Sequence, residues 1–267
     1  IIYVLDIYEL LNMKIFSINV ISIFCYLIIG VCFPFLWFQG LRLKREVPRF
    51  TTPGDRPYGI CKGKDREFNI LGLGESTMAG VGIAKHTLTL TGLTAGRLNK
   101  LLGYSVNWKI MAQNGLTLKN LNKLICEQSD KNIDLVLVSM GGNDVFQLTP
   151  PWIWKKNIDK CVKLIFQKNE KPVILFSPVP PVGRFPAIPS PLRIAFGFWE
   201  FLLQGCLAQV INSIDNTYLL DERYPDGKKY YLEDGIHPSR LAYDPWSEKL
   251  SIMTVALLNQ KKLQIDS

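Results

Sequence analysis

No Cys-x-x-Cys pair occurs in this chain. Its six cysteines stand apart at positions 25, 32, 61, 126, 161 and 206, which excludes a disulfide framework and a cysteine-built metal cluster and leaves reduced thiols as their ordinary role. Zinc-finger spacing and aromatic-basic RNA motifs are missing too. The net charge of +8 and pI near 9.1 would suit nucleic acid or an anionic membrane, but the basic residues are dispersed except at Arg42 to Arg49, so nucleic acid is not expected as a partner. Internal repeats and low-complexity tracts are absent. The first glycine-rich turn lacks a hydroxyl-rich phosphate loop, which argues against a flavin.

Charge is missing altogether from Ile15 to Phe38. At about 1.5 Å per residue this span can cross a hydrocarbon core of roughly 30 Å. It is too long for a cleaved signal and ends in Pro34-Phe35-Leu36-Trp37-Phe38 rather than in small residues, so it reads as a membrane helix with Trp37 and Phe38 at the interface. Met13-Lys14 resembles a start of translation, which sets residues 1–12 apart as an extension and gives an anchor at 13–40. Arg42, Lys44, Arg45 and Arg49 follow the span against Lys14 before it, and the positive-inside tendency then favours the cytoplasmic side for the C-terminal domain. Residues 41–65, with Pro53-Gly54-Asp55-Arg56-Pro57, read as a basic, proline- and glycine-rich linker. The domain proper is expected over 66–267, a length able to bury a sizeable core.

Within that domain apolar runs alternate with helical patterns. Strands are expected at Phe68–Leu73, Val106–Met111, Ile133–Met140, Val173–Ser177 and Thr217–Leu220. Helices are expected at Leu88–Leu102, Leu118–Glu127, Trp152–Gln167, Leu192–Ile214 and Pro238–Leu258. Runs apolar on both faces and separated by helices indicate an α/β fold with a parallel sheet covered on both sides. Sites in such sheets lie at the carboxyl ends of the strands.

Four of the predicted strand ends carry a polar residue or glycine. Gly74-Glu75-Ser76 follows the first, Asn114-Gly115 the second, Gly141-Gly142-Asn143-Asp144 the third, and Asp234-Gly-Ile-His237-Pro238 comes after the last. A serine hydroxyl is scarcely ionised near neutral pH, so it needs a base and oxyanion donors from elsewhere. An imidazole at His237 can take and return its proton, and Asp234, three residues earlier, can orient the ring. Backbone N–H groups at Ser76 and Gly115 and the Asn143 amide could meet an oxyanion.

In that order, these blocks resemble the SGNH (GDSL-type) hydrolases, over about Phe68 to Leu258. The resemblance implies a flavodoxin-like three-layer α/β/α sandwich with a central parallel sheet. It also implies hydrolysis of esters or related acyl bonds without metal or organic cofactor, with Ser76 as nucleophile, His237 as base, Asp234 as its partner, and Ser76, Gly115 and Asn143 as the oxyanion hole. Glu75 departs from the aspartate usual in the family's first block.

Plainer readings exist for each residue taken singly. Ser76 could cap a helix, Asn143 and Asp144 could make a turn, and His237 could be a helix-entry residue. His86 reads as a surface residue, and Asp144 as a tie within its loop. The expected substrate is a small-molecule or lipid ester. An acyltransferase with the same residues, passing the acyl group to a sugar or lipid hydroxyl, and a silent binding module on the same scaffold are the alternatives. The proline-rich stretch Ser177–Pro191 and the aromatic residues Phe196, Phe198, Trp199 and Phe201 could wall an acyl pocket, lie on a membrane, or pack in the core. Trp152 and Trp154 could line the same edge, and Arg184 could meet an anionic head group.

Overall fold

The computed structural model describes residues 37–43, 45–127, 132–170, 172–220, 225 and 227–265, with single positions 23, 30 and 34. The extension 1–12 and nearly all of the expected membrane span fall outside the described residues.

Six strands form one sheet: β1 (Tyr58–Cys61), β2 (Lys64–Gly74), β3 (Tyr104–Ala112), β4 (Leu135–Ser139), β5 (Val173–Phe176) and β6 (Thr217–Leu219). Their order is β1-β3-β2-β4-β5-β6. From β3 to β6 all neighbours are parallel, with Leu71 opposite Val136 and Val136 opposite Ile174. Alternation explains why both faces are covered. Leu135, Leu137, Val173 and Leu175 pack into one buried cluster, whereas Val136, Val138, Ile174 and Phe176 pack into the other, the period-two consequence of a pleated strand. Helices α2 (Leu90–Leu102) and α7 (Arg240–Ile265) cover the first face. The second is covered by α3 (Leu118–Glu127), α5 (Pro151–Lys168) and α6 (Leu192–Ile211). Truncating a fully buried side chain such as Leu137 to alanine would cost about 2 to 5 kcal/mol.

The sheet is mixed rather than wholly parallel. β1 joins it antiparallel to β3, with Gly59 opposite Trp108, and a Cβ at Gly59 would lie 2.7 Å from the Trp108 ring. The stretch expected to be a linker is therefore partly built into the domain. Thr51 accepts from Gly82 N–H at 2.9 Å and Pro57 from Ile110 N–H at 2.7 Å. His86, expected at the surface, is buried, with its Nδ1 2.7 Å from Asp55 and its backbone N–H donated to the same carboxylate. Its partner Asp55 comes from 31 residues earlier in the chain, which a reading of His86 alone could not show.

Helix α6 is long and apolar enough to cross a bilayer, yet Trp199, Leu202, Leu203 and Leu207 are buried within the fold. Trp154, expected at the site's edge, is buried as well and donates its indole N–H to Leu203 O at 3.0 Å.

Candidate active site

The chain leaves β2, turns at Glu75 and enters the one-turn helix α1 (Ser76–Ala79). It then crosses to β3 on one side of β2 and returns to β4 on the other. That reversal opens a crevice at the carboxyl ends of β2 and β4, where a doubly wound sheet places its ligand. Ser76 stands at one lip, half-buried. The other lip is the short helix α4 (Gly142–Phe146), which opens after Gly141.

Glu75 fastens the two lips together. Its side chain is buried and accepts the backbone N–H of Gly142 at 2.7 Å and that of Asn143 at 2.9 Å. It also accepts a short bond from the Asn143 side-chain amide. The other amide hydrogen of Asn143 goes to Leu116 O at 3.2 Å, in the segment after β3. Asn143 therefore knits three strand ends together, and both hydrogens of the amide expected to serve an oxyanion are engaged within the protein. Burial pushes the Glu75 carboxyl up to about 7 despite those N–H donors, and the nearby Asp144 charge pushes in the same direction.

Asp144 has the structural role its position suggested. It accepts from Leu118 N–H at the start of α3 at 2.9 Å and from the Thr149 hydroxyl at 3.0 Å, and burial raises it to about 6.

The imidazole comes from the turn before α7. Asp234 Oδ2 lies 2.5 Å from His237 Nδ1, and Asp234 Oδ1 accepts the backbone N–H groups of Ile236 at 2.9 Å and His237 at 3.0 Å. Burial alone would raise Asp234. The hydrogen bonds from His237 and the two backbone donors outweigh it and hold the carboxyl below its ordinary value.

Two contacts tie the segments flanking this turn to the chain that follows Ser76. Tyr243, buried in α7, donates its hydroxyl to Thr77 O at 2.8 Å, and the Leu232 side chain fills the space beside Gly82 where a Cβ would stand. Among the described residues, no hydrogen bond joins Ser76 to His237. The backbone N–H groups of Ser76 and Gly115 likewise donate to no described residue, leaving two donors at adjacent strand ends.

Sequence reasoning missed the Tyr243 tie, for which the sequence carries no signal. It also missed the partner of Glu75, which the position next to the serine could have suggested. The stretch Ser177–Pro191 bears on the site through Ala187, whose N–H reaches Gly235 O at 3.3 Å. Arg184 lies beside Glu200, whose carboxyl burial pushes up to about 7. Phe196, Phe146, Phe185 and Tyr231 form a row with ring centroids 5.3, 6.3 and 5.8 Å apart. It runs from the Asn143 segment to the Asp234 segment.

A parallel-cored α/β sandwich with a serine at a strand end and an Asp–His pair in the loop before its last helix defines a hydrolase architecture. The chain belongs to the GDSL-like lipase/acylhydrolase family, whose profile matches residues 73–244, and it is an ester hydrolase of that type. No curated protein sequence matches it. Among solved structures, a lipase from a goat rumen metagenome superposes with a TM-score of 0.54 at 21% identity, covering 68% of this chain and 95% of the other. A psychrotrophic esterase from Pseudoalteromonas sp. gives 0.54 at 18%, covering 72% and 98%. A carbohydrate acetylesterase from Sinorhizobium meliloti gives 0.53 at 16%, covering 71% and 99%. At these identities the likeness is one of fold.

Proposed function

We propose that the protein cleaves carboxylic esters through an acyl-enzyme on Ser76. His237 Nε2 takes the Ser76 proton as Oγ attacks the carbonyl carbon, while Asp234 holds Nδ1 and stabilises the imidazolium. The proton then passes to the leaving alcohol, and the same imidazole activates the water that releases the acid. The Ser76 and Gly115 N–H groups meet the oxyanion. Asn143 joins them by turning one amide hydrogen from its protein partner, and each such donor is worth about 2.7 to 4 kcal/mol.

The observation that carries this reading is the Asp234–His237 pair, closed at 2.5 Å through Nδ1, which leaves Nε2 as the working nitrogen. Phe146 and Phe196, the half-buried pair of the aromatic row, are the rings an acyl chain would meet. A fluorophosphonate probe followed by peptide mapping is expected to label Ser76. Ser76→Ala is expected to abolish turnover of short p-nitrophenyl esters with thermal unfolding nearly unchanged. Labelling at a different serine, or equal rates for the two proteins, refutes the assignment.

A further inference from the structure

The described chain begins on an apolar face. Residues 37–43 are helical, and positions four apart lie on one side of such a helix. Gln39 and Leu43 face the domain. Gln39 Nε2 donates to Ser190 O at 3.1 Å, its Oε1 accepts Leu192 N–H at 3.3 Å, and Leu43 packs on the core. Trp37, Phe38 and Leu41 face outward, 57%, 67% and 40% exposed, and Ile194 in the first turn of α6 is 64% exposed. Large apolar side chains grouped in this way mark an interaction surface.

The surface is rimmed with cations. Arg42, Arg45 and Arg193 are exposed around it, with Arg42 paired to Glu46 at 2.7 Å and Arg193 reaching Ser190 Oγ at 3.4 Å. The 24 residues from Ile15 to Phe38, which run directly into it, carry no charge. An aromatic and apolar patch, a basic rim and an uncharged stretch arriving at the same point are the three ingredients of attachment to an anionic bilayer.

We propose that the face formed by Trp37, Phe38, Leu41 and Ile194 lies in the interface of an anionic phospholipid bilayer. The Gln39 clamp fastens the start of α6 to that surface. The surface is independent of the catalytic assignment, since none of its residues touches Ser76, Asp234 or His237.

The test uses the full chain reconstituted in phosphatidylcholine vesicles with and without phosphatidylglycerol. A membrane-impermeant maleimide is applied to Ile194→Cys and, as control, to Ile252→Cys, an exposed position on α7 across the sheet. Peptide mass mapping of the outward-facing fraction reads the two sites apart from native cysteines. In anionic vesicles Ile194→Cys is expected to react about tenfold more slowly than Ile252→Cys, because interfacial burial removes it from water. The gap should narrow in neutral vesicles and in the background of Arg42→Glu with Arg193→Glu. Equal rates in anionic vesicles overturn the proposal. Equal protection in neutral and anionic vesicles overturns its anionic character. Protection that persists without lipid and grows with protein concentration assigns the face to a second copy of the chain instead.

Discussion

The carboxylate of Glu75 holds the backbone and the side chain of Asn143 at once, so the residue before Ser76 sets the position of the strand end opposite it. Three donors converge on this one acid, and a neutral amide there would turn its own N–H against at least one of them. Glu75→Gln is expected to lose about 1 to 3 kcal/mol of stability. It should also lower kcat by roughly tenfold or more, since a shift of the Gly142–Asn143 segment misplaces Asn143, the donor proposed for the oxyanion. Urea unfolding and steady-state kinetics check both, and a variant that keeps stability and kcat alike would show the tie to be dispensable.

In the proposed mechanism Asp234 acts through the imidazole. Asp234→Asn presents either an N–H or a weaker acceptor to His237 Nδ1 and frees the other tautomer. A drop in kcat of about 10³- to 10⁴-fold is expected, with KM changed much less, by the logic of serine hydrolase triads in which the acid orients the base. Unchanged kcat would remove Asp234 from the mechanism.

Burial raises Glu75 and Glu200 to about 7 and Asp144 to about 6. Between the ordinary carboxyl range and those values, the unfolded chain releases protons that the folded chain keeps. Stability therefore falls as pH rises from about 4.5 to about 7 and levels off above it. At about 1.4 kcal/mol per tenfold change in proton affinity, Glu200 supplies at most roughly 3 to 4 kcal/mol of that fall. Glu200→Gln keeps an acceptor for Gly183 N–H, bonded at 2.8 Å in the wild type, and loses the titration. Its melting temperature is expected to decline less steeply over this window, and an identical slope would exclude Glu200 as a contributor.

Gly235, between Asp234 and His237, has φ of +64, and a Cβ there would lie 2.8 Å from Ala187 N. Gly235→Ala combines a disfavoured backbone with a clash against a neighbouring loop, and a loss of about 1 to 3 kcal/mol is expected. Because the turn carries the imidazole, kcat should fall further than the folded fraction does. Calorimetry beside kinetics separates the two effects.

The sequence exposed most of the scaffold because β2, β4 and β5 are apolar on both faces, and that continuity is visible without a partner. β1 was hidden because its four residues alternate between exposed and half-buried and include a glycine that makes room for Trp108. Four blocks of site residues could be listed in order from the sequence; the strand order puts three of them at the neighbouring ends of β3, β2 and β4, whereas Asp234–His237 lies in the long segment between β6 and α7, whose path the sequence does not show. The engagement of the Asn143 amide could not be foreseen, since it depends on the reach of Glu75 across to another strand. His86 was misread for a similar reason: its partner, Asp55, is 31 residues away, in a stretch whose prolines and glycine suggested no fixed structure.

Strand β1 has a practical consequence for anyone trimming this protein. It covers the hydrogen-bonding margin of β3 that would otherwise invite pairing with foreign chains. A fragment starting at residue 66 would leave that margin and the Trp108 indole bare and would self-associate. A well-behaved excised catalytic unit has to begin ahead of Thr51.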